Sequence, residues 1–243
     1  DLAIRRKFWD IGQYLVSNSY SEAEDILDVS NSVSNELASL FKSSSTTIST
    51  INDGLESVYG MINDNLLGNR QLTGIPTGFE KIDSKSGGLQ KSDLIIIAGE
   101  TSQGKTSFAV SIMRNAASLG AKIAMYSMEM KKEQITARIL SMESGVPANQ
   151  IMYSRLTDSQ IQAIDVGVGK MSGKGIYFDD RSTSNIDTII SSIRYMKLKF
   201  GIDGAIIDYL QILNVNMKGA NKEQQMEDVA RRLKNLTKEL DIW

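Results

Sequence analysis

The sequence predicts an α/β fold, in which helices cover both faces of a parallel β-sheet. Short apolar runs alternate along the chain with stretches whose apolar residues recur at helical spacing. One apolar run leads into a glycine-rich loop and then a helical stretch, at residues 93–113. Two others, at 122–127 and 204–207, are closely followed by an acidic residue. Because ligands of such sheets bind at the carboxyl ends of the strands, this edge is expected to carry the functional site.

Hydrophobic periodicity and turn signals give the individual elements. Thr157, followed by Asp158-Ser159-Gln160, is predicted to cap a helix. The stretches 74–79, which contains Pro76, and 87–89, with two glycines, are predicted to form turns. The remaining elements are strands at 93–98, 122–127, 175–178 and 204–207, and helices at 107–113, 131–144, 185–200 and 223–240.

The amino-terminal part of the chain carries three helical stripes. The first covers residues 2–17, and the third runs from Ile51 to Ile62. The second, from Ile26 to Leu40, follows a capping-box pattern at 21–24. Its apolar face is consistent either with packing on its own domain or with docking on a neighbouring subunit. The polar stretch 43–47 is the best predicted domain boundary.

Composition excludes several kinds of chemistry. The 243 residues include no cysteine and no histidine, so the chain has no disulfide and no thiolate zinc site. Any proton transfer must use a carboxylate, a lysine, a tyrosine or water. The net charge of −2 means that nucleic-acid binding would need a local basic patch. No apolar run is long enough to span a membrane, so no membrane partner and a cytoplasmic location are expected.

The glycine-rich loop fits the phosphate-binding pattern G-x-x-x-x-G-K-[ST]. Its glycines let main-chain N–H groups surround phosphates, and the helix that follows attracts negative charge at its amino terminus. Lys105 is predicted to reach the β- and γ-phosphates, and the Thr106 hydroxyl to hold Mg²⁺. The alternative is a chance glycine-rich turn. The predicted nucleotide-binding residues are Gly99, Glu100, Thr101, Ser102, Gln103, Gly104, Lys105, Thr106 and Ser107.

Two acidic residues are candidates for the chemistry. Asp208 ends the run 204–207, which suits a carboxylate that holds Mg²⁺ beside the phosphates; the alternative is a cap of a turn. Glu129 follows the strand 122–127 and could polarise the water that attacks the γ-phosphate. A glutamate at a helix amino terminus is equally expected there, because the helix dipole favours it. The residues alone leave both interpretations of Glu129 open.

Several segments, in this order, resemble the C-terminal ATPase domain of the DnaB-type replicative DNA helicases. They are Thr73-Gly74-Ile75-Pro76-Thr77-Gly78-Phe79, Asp83, Gly87-Gly88-Leu89, the run 93–98 with its loop, Ser127-Met128-Glu129-Met130, Ile207-Asp208-Tyr209-Leu210-Gln211 and the charged stretch 221–240. The resemblance implies a RecA-like ATPase domain over 48–243. It also implies a linker helix and joint over 21–47, and the tail of an N-terminal helical domain over 1–20.

The resemblance further implies a hexameric ring that hydrolyses ATP with Mg²⁺, moves 5′→3′ on single-stranded DNA and unwinds forked duplexes. Glu129 would be the general base, and Gln211 would sense the γ-phosphate. The loop 214–222 would face DNA, with Lys218 and Lys222 as phosphate contacts. A primase and a helicase loader would be partners, in a bacterium or a phage-infected cell. The alternative is a RecA- or KaiC-like ATPase that assembles without unwinding.

Two features depart from the family's pattern. The loop interior 100–103 reads Glu-Thr-Ser-Gln, where the family usually has Arg-Pro-(small)-Met. The family's next strand, which would begin at 241–243, and its arginine finger are expected beyond the sequence given.

Overall fold

The computed structural model describes residues 2–18, 29, 32–34, 36–37, 50–66, 72–100, 102–179, 185–213 and 221–243. The chain divides into two compact units, Asp1–Arg70 and Gln71–Trp243. None of the helices in the described ranges is long and apolar enough to cross a lipid bilayer.

The described part of the first unit contains two long helices, as the first and third stripes predict. They are α1, Leu2–Asn18, and α2, Ile51–Leu66. Thr50 and Asp53 cap α2 mutually, since the Asp53 carboxylate accepts from the Thr50 N–H at 2.7 Å. These bonds hold the pKa of Asp53 below its usual value. The predicted capping box at 21–24 and the joint 43–47 lie outside the described residues.

The second unit alternates helices and strands. Its helices are α3 Glu80–Ser86, α4 Lys105–Ser118, α5 Lys132–Ser144, α6 Ala148–Tyr153, α7 Asp158–Met171, α8 Ile186–Phe200 and α9 Lys222–Leu240. Its strands are β1 Ile123–Ser127, β2 Ile176–Asp179 and β3 Gly204–Asp208. Thr157 and Gln160 form the predicted capping box of α7. The helix α3 was not predicted, and it lies between the two stretches, 74–79 and 87–89, that were predicted to form turns.

The three strands form a parallel sheet in the order β2-β1-β3. All five residues of β1 are buried, and they alternate between two apolar clusters. Ala124 and Tyr126 face the cluster that α8 and α9 complete. Ile123 and Met125 face the cluster that α4 and α5 complete. The sheet is therefore covered on both faces, as predicted.

The predicted strand at 93–98 is wrong, because this segment forms no strand. Ile95, Ile96 and Ile97 are 48%, 61% and 40% exposed. An apolar run becomes a strand only when a neighbour satisfies its main-chain groups, and such a ladder is absent at these positions.

The main chain at Ile242 and Trp243 lies between Ser92 and β3. The Ser92 N–H donates to the Ile242 carbonyl at 2.9 Å, and the Ala205 N–H donates to the Trp243 carbonyl at 3.0 Å. A cavity of about 410 Å³ lies alongside, and its lining includes 94–99 and 205–211. Gly99, Lys105, Asp208 and Gln211, which belong to the site described below, are among the lining residues.

Candidate nucleotide-binding site

The glycine-rich loop ends at the first residue of α4. Gly104, the N-cap, has a φ of 84°, a left-handed conformation that glycine adopts without strain. Intrahelical hydrogen bonding begins with the Phe108 N–H, which donates to the Gly104 carbonyl at 2.9 Å. The N–H groups of the first helical residues therefore have no acceptor within the helix. Together with the helix dipole they form an anion-binding position.

The ammonium group of Lys105 lies over the loop itself. Its Nζ donates to the carbonyls of Gly99 and Glu100, both at 2.7 Å. These bonds hold the cation at the mouth of the loop, where phosphates are predicted to bind. The Glu100 carboxylate is exposed and lies 3.5 Å from the Gln103 amide. Thr101 lies outside the described residues.

Thr106 and Asp208 are in direct contact although 102 positions separate them in the sequence. Thr106 Oγ1 donates to Asp208 Oδ2 at 2.7 Å. Asp208 is buried at the carboxyl end of β3, and Thr106 is the second residue of α4. The sequence predicted both as Mg²⁺ ligands, and the fold brings their oxygens together.

The Glu129 turn is attached to the same strand end. The Met128 N–H donates to the Asp208 carbonyl at 3.0 Å, and the Ser127 hydroxyl accepts from the Met130 N–H at 3.1 Å. Glu129 lies between these two anchored residues, and its side chain is exposed. The two candidate acids therefore come from adjacent strands, β1 and β3, at the same edge of the sheet.

The DNA-contact candidates stay predictions. Lys218 lies outside the described residues. Lys222 is the exposed first residue of α9. Gln211 is exposed in a short 3₁₀ turn, Leu210–Ile212, and lines the same cavity as Gly99, Lys105 and Asp208.

The stretch 73–79 supports the loop from behind. The buried Asp83 carboxylate accepts from the Thr77 N–H at 2.9 Å, from the Thr77 hydroxyl at 2.7 Å and from the Gly78 N–H at 3.1 Å. The Asn115 amide of α4 donates to the Thr77 carbonyl at 2.9 Å, and the rings of Phe79 and Phe108 lie 5.0 Å apart. These contacts fix α4, and with it the loop.

Sequence reasoning missed Arg138, which reaches the first turn of α4. Its Nη1 donates to Ser107 Oγ at 3.1 Å. An arginine inside an ordinary helical stretch carries no motif, so only the packing of α5 on α4 shows this contact.

The donors suit Mg²⁺ held jointly with phosphates. Within the described ranges, no group of three or more acidic side chains could hold a metal alone. One hydroxyl and one carboxylate are present instead, and Mg²⁺ commonly takes one or two carboxylates together with phosphate oxygens. The contact between Thr106 and Asp208 therefore fits a metal ion that these two residues and the phosphates of the nucleotide coordinate together.

A glycine-rich loop on a helix start, with a hydroxyl and two acids on neighbouring strand ends, defines a P-loop nucleotide-binding domain. The family model described as "DnaB-like helicase C terminal domain" matches residues 74–243. The chain belongs to this family.

Relatives and solved structures agree with the assignment. "Replicative DNA helicase DnaC" of Bacillus subtilis is 32% identical over 225 residues, which cover 91% of this chain and 49% of that protein. "Replicative DNA helicase DnaB" of Geobacillus stearothermophilus is 35% identical over 79% of this chain and 43% of that protein. The chain thus spans about half the length of these curated relatives.

Two solved structures share the fold. One, described as an ATPase domain, superimposes with a TM-score of 0.72 and 26% identity, covering 79% of this chain and 68% of that one. A DnaB-like replicative helicase, studied for its interactions with primase, gives 0.70 and 25% identity over 98% of this chain and 56% of that one. The RecA-like ATPase fold implied by the sequence is confirmed.

Proposed function

We propose that this chain is the motor part of a replicative DNA helicase, which couples ATP hydrolysis to movement along single-stranded DNA. The observation that carries the proposal is the contact between Thr106 and Asp208, with the Glu129 turn bonded to the same strand end. The proposal thus assigns to one end of the sheet a phosphate loop, two oxygens that would bind Mg²⁺ and a candidate base. Family membership supplies the substrate class.

In the proposed reaction, the N–H groups at the start of α4 hold the phosphates of ATP. Lys105 leaves the carbonyls of Gly99 and Glu100 and pairs with the β- and γ-phosphates, since phosphate oxygens are more negative than carbonyls. Thr106 and Asp208 would hold Mg²⁺, which supplies charge neutralisation on the phosphates when bound.

Glu129 acts as the base in this proposal. Its carboxylate accepts a proton from the attacking water, which turns the water into a stronger nucleophile toward the γ-phosphorus. Gln211 detects whether the γ-phosphate is present, because its amide can both donate and accept a hydrogen bond. Loss of the γ-phosphate then changes the contacts of the turn after β3.

Assembly and partners extend the same proposal. A homo-hexameric ring around one DNA strand would let Lys218 and Lys222 contact phosphates without reading sequence. One of the similar solved structures is titled for its interactions with primase, which supports a primase partner here. A helicase loader is proposed from the family resemblance alone.

The test is Glu129→Gln in the full-length protein. We expect ATP affinity to stay within about twofold and kcat to fall by about 100-fold or more, because general-base catalysis contributes 10²–10⁴. Glu133→Gln is the matched control, since Glu133 is exposed in the first turn of α5 four positions further along. A Glu129→Gln protein with the wild-type rate would show that the base is another group.

Unwinding is tested separately on a forked duplex. Strand separation that requires ATP supports a helicase. DNA-stimulated ATPase activity without strand separation would overturn the helicase assignment and favour an assembling RecA- or KaiC-like ATPase. Absence of any ATPase activity in the wild-type protein would favour a nucleotide-binding assembly module.

A further inference from the structure

Two arginines lie where α4 packs against α5, and they differ in the charge of their partners. Arg114 pairs with the carboxylate of Glu143, whose side chain is only 3% exposed. Arg138 is half-buried nearer the start of α4, and its partner is the hydroxyl of Ser107. Among the described residues, no carboxylate lies within 4.0 Å of the Arg138 guanidinium.

A cation at this position does not stabilise the helix. The amino terminus of a helix carries partial positive charge, so an arginine there is repelled and an anion is attracted. Lys105 already places a second cation in the same turn. The Asp208 carboxylate bonds to Thr106 in this turn, but among the described residues neither cation forms an ion pair with a carboxylate. Two cations of this kind at a helix start are consistent with an anion that binds from solution, and the proposed anion is the nucleotide's phosphate chain.

The contact with Ser107 gives Arg138 a defined task. A serine hydroxyl has one hydrogen to donate and two lone pairs that accept. Because the Arg138 N–H occupies a lone pair, the Ser107 hydrogen is free to donate elsewhere. The Ser107 carbonyl is engaged by the Ser111 hydroxyl at 2.8 Å. The Ser107 hydroxyl can therefore donate its hydrogen to an anion bound at the N–H groups of the first helical turn.

We propose that Arg138 is a positioning residue for ATP: it fixes the Ser107 hydroxyl as a donor to a phosphate oxygen and adds positive charge beside the phosphates. This inference rests on the proposed function. It assigns to α5 a role in holding the nucleotide, in addition to carrying the turn of the proposed base at its start. Arg138 acts on affinity rather than on the chemical step, because its contact is with the binding helix.

The experiment measures binding of a fluorescent ATP analogue, together with KM and kcat, on the full-length protein. We expect Arg138→Ala to raise Kd and KM about tenfold, since hydrogen bonds to charged groups contribute about that much, with kcat changed less than about twofold. Arg138→Lys should recover part of the affinity, because an ammonium group can still donate to Ser107 Oγ.

A double-mutant cycle isolates the pair. Ser107→Ala alone should weaken ATP binding. Arg138→Ala should then raise Kd clearly less in the Ser107→Ala background than it does in the wild-type protein. Arg194→Ala is the matched control, because the Arg194 guanidinium pairs with Glu239 between α8 and α9. It should leave Kd within about twofold, since this arginine makes no contact with Ser107.

Three outcomes would overturn the inference. The first is an unchanged Kd for Arg138→Ala, measured in a protein whose wild type binds ATP. The second is full additivity of the binding free-energy losses of Ser107→Ala and Arg138→Ala. The third is a loss of affinity that follows the loss of folding stability, as in a purely structural role. A failure of the proposed function would look different. In that case the wild-type protein would not bind ATP, or its binding of ATP would survive Lys105→Ala.

Discussion

Two apolar runs of similar composition lead into the two halves of the site, and only one of them is a strand. Residues 204–208 form β3, pairing with β1 from Gly204 opposite Ile123 to Asp208 opposite Ser127. Residues 93–98 precede the phosphate loop and form no strand. Ile206 packs against an apolar cluster, whereas Ile96 is 61% exposed. Strand propensity is alike in the two runs, so the difference comes from their neighbours.

The comparison shows that the phosphate loop is positioned from its helix side. The segment before the loop is anchored at its start, where Ser92 bonds to Ile242, Lys234 and Thr237 and Asp93 pairs with Lys234. The helix after the loop is held by Phe79, by Asn115 bonding to Thr77 and by the ion pair of Arg114 with Glu143. The geometry of Thr106 toward Asp208 therefore depends on α4 and β3.

The largest expected difference is between Ile206→Asp and Ile96→Asp, two substitutions in the lining of the same cavity. Ile206→Asp puts an unpaired charge against a core cluster and should lower the free energy of unfolding by about 3 kcal/mol. Ile96→Asp should change it by less than about 0.5 kcal/mol, as exposed substitutions do. Urea unfolding of both variants measures this. Equal losses would show that 93–98 is packed in solution.

Glycine substitutions give a smaller contrast. A Cβ on Gly204 would lie 2.1 Å from the Trp243 ring, so Gly204→Ala should displace the indole and cost about 2 kcal/mol. A Cβ on Gly99 would meet Gln103 Oε1 at 3.4 Å, so Gly99→Ala should leave stability within about 0.5 kcal/mol.

Tryptophan emission reports the displacement directly, since Trp243 is 8% exposed and the other tryptophan, Trp9, is 67% exposed. Gly204→Ala should shift the emission to longer wavelength, and Gly99→Ala should not. Unchanged emission together with unchanged stability for Gly204→Ala would mean that Trp243 does not pack against β3.

The sequence was sufficient for elements whose signals are local. The first and third helical stripes, the capping box at Thr157 and the strands β1, β2 and β3 were predicted from spacing alone. The meeting of Thr106 and Asp208 followed from topology, because parallel strands present their carboxyl ends at the same edge.

The sequence was insufficient where the structure of a segment depends on which other segment packs or pairs with it. The run 93–98 has the composition of a buried strand, but composition does not report whether a neighbour pairs with it. The short helix Glu80–Ser86 was hidden between glycines that signal turns. Arg138 depends on how α5 packs on α4, which no local pattern encodes.

The smallest expected effect concerns the ion pair of Arg114 with Glu143, which helps to hold α4, the helix after the phosphate loop. The hydrogen bond from Arg114 holds the pKa of the Glu143 carboxyl below its usual value of 4.5, although burial works against this. A carboxyl whose pKa is lower in the folded state stabilises the fold above its unfolded pKa. That stabilisation is lost as pH falls through the lowered folded value.

Glu143→Gln should therefore lower the free energy of unfolding by about 1–2 kcal/mol at pH 7, and its difference from wild type should shrink as the pH drops below about 4. Asp241→Asn is the control, because Asp241 pairs with Lys91 across side chains that are both 60% exposed, and such pairs contribute little. Unfolding midpoints from pH 3 to pH 7 test both. If Glu143→Gln kept a constant difference across this range, charge would not anchor α4. The position of the phosphate loop would then have to come from the hydrogen bond of Asn115 to Thr77 and from the packing of Phe79 on Phe108.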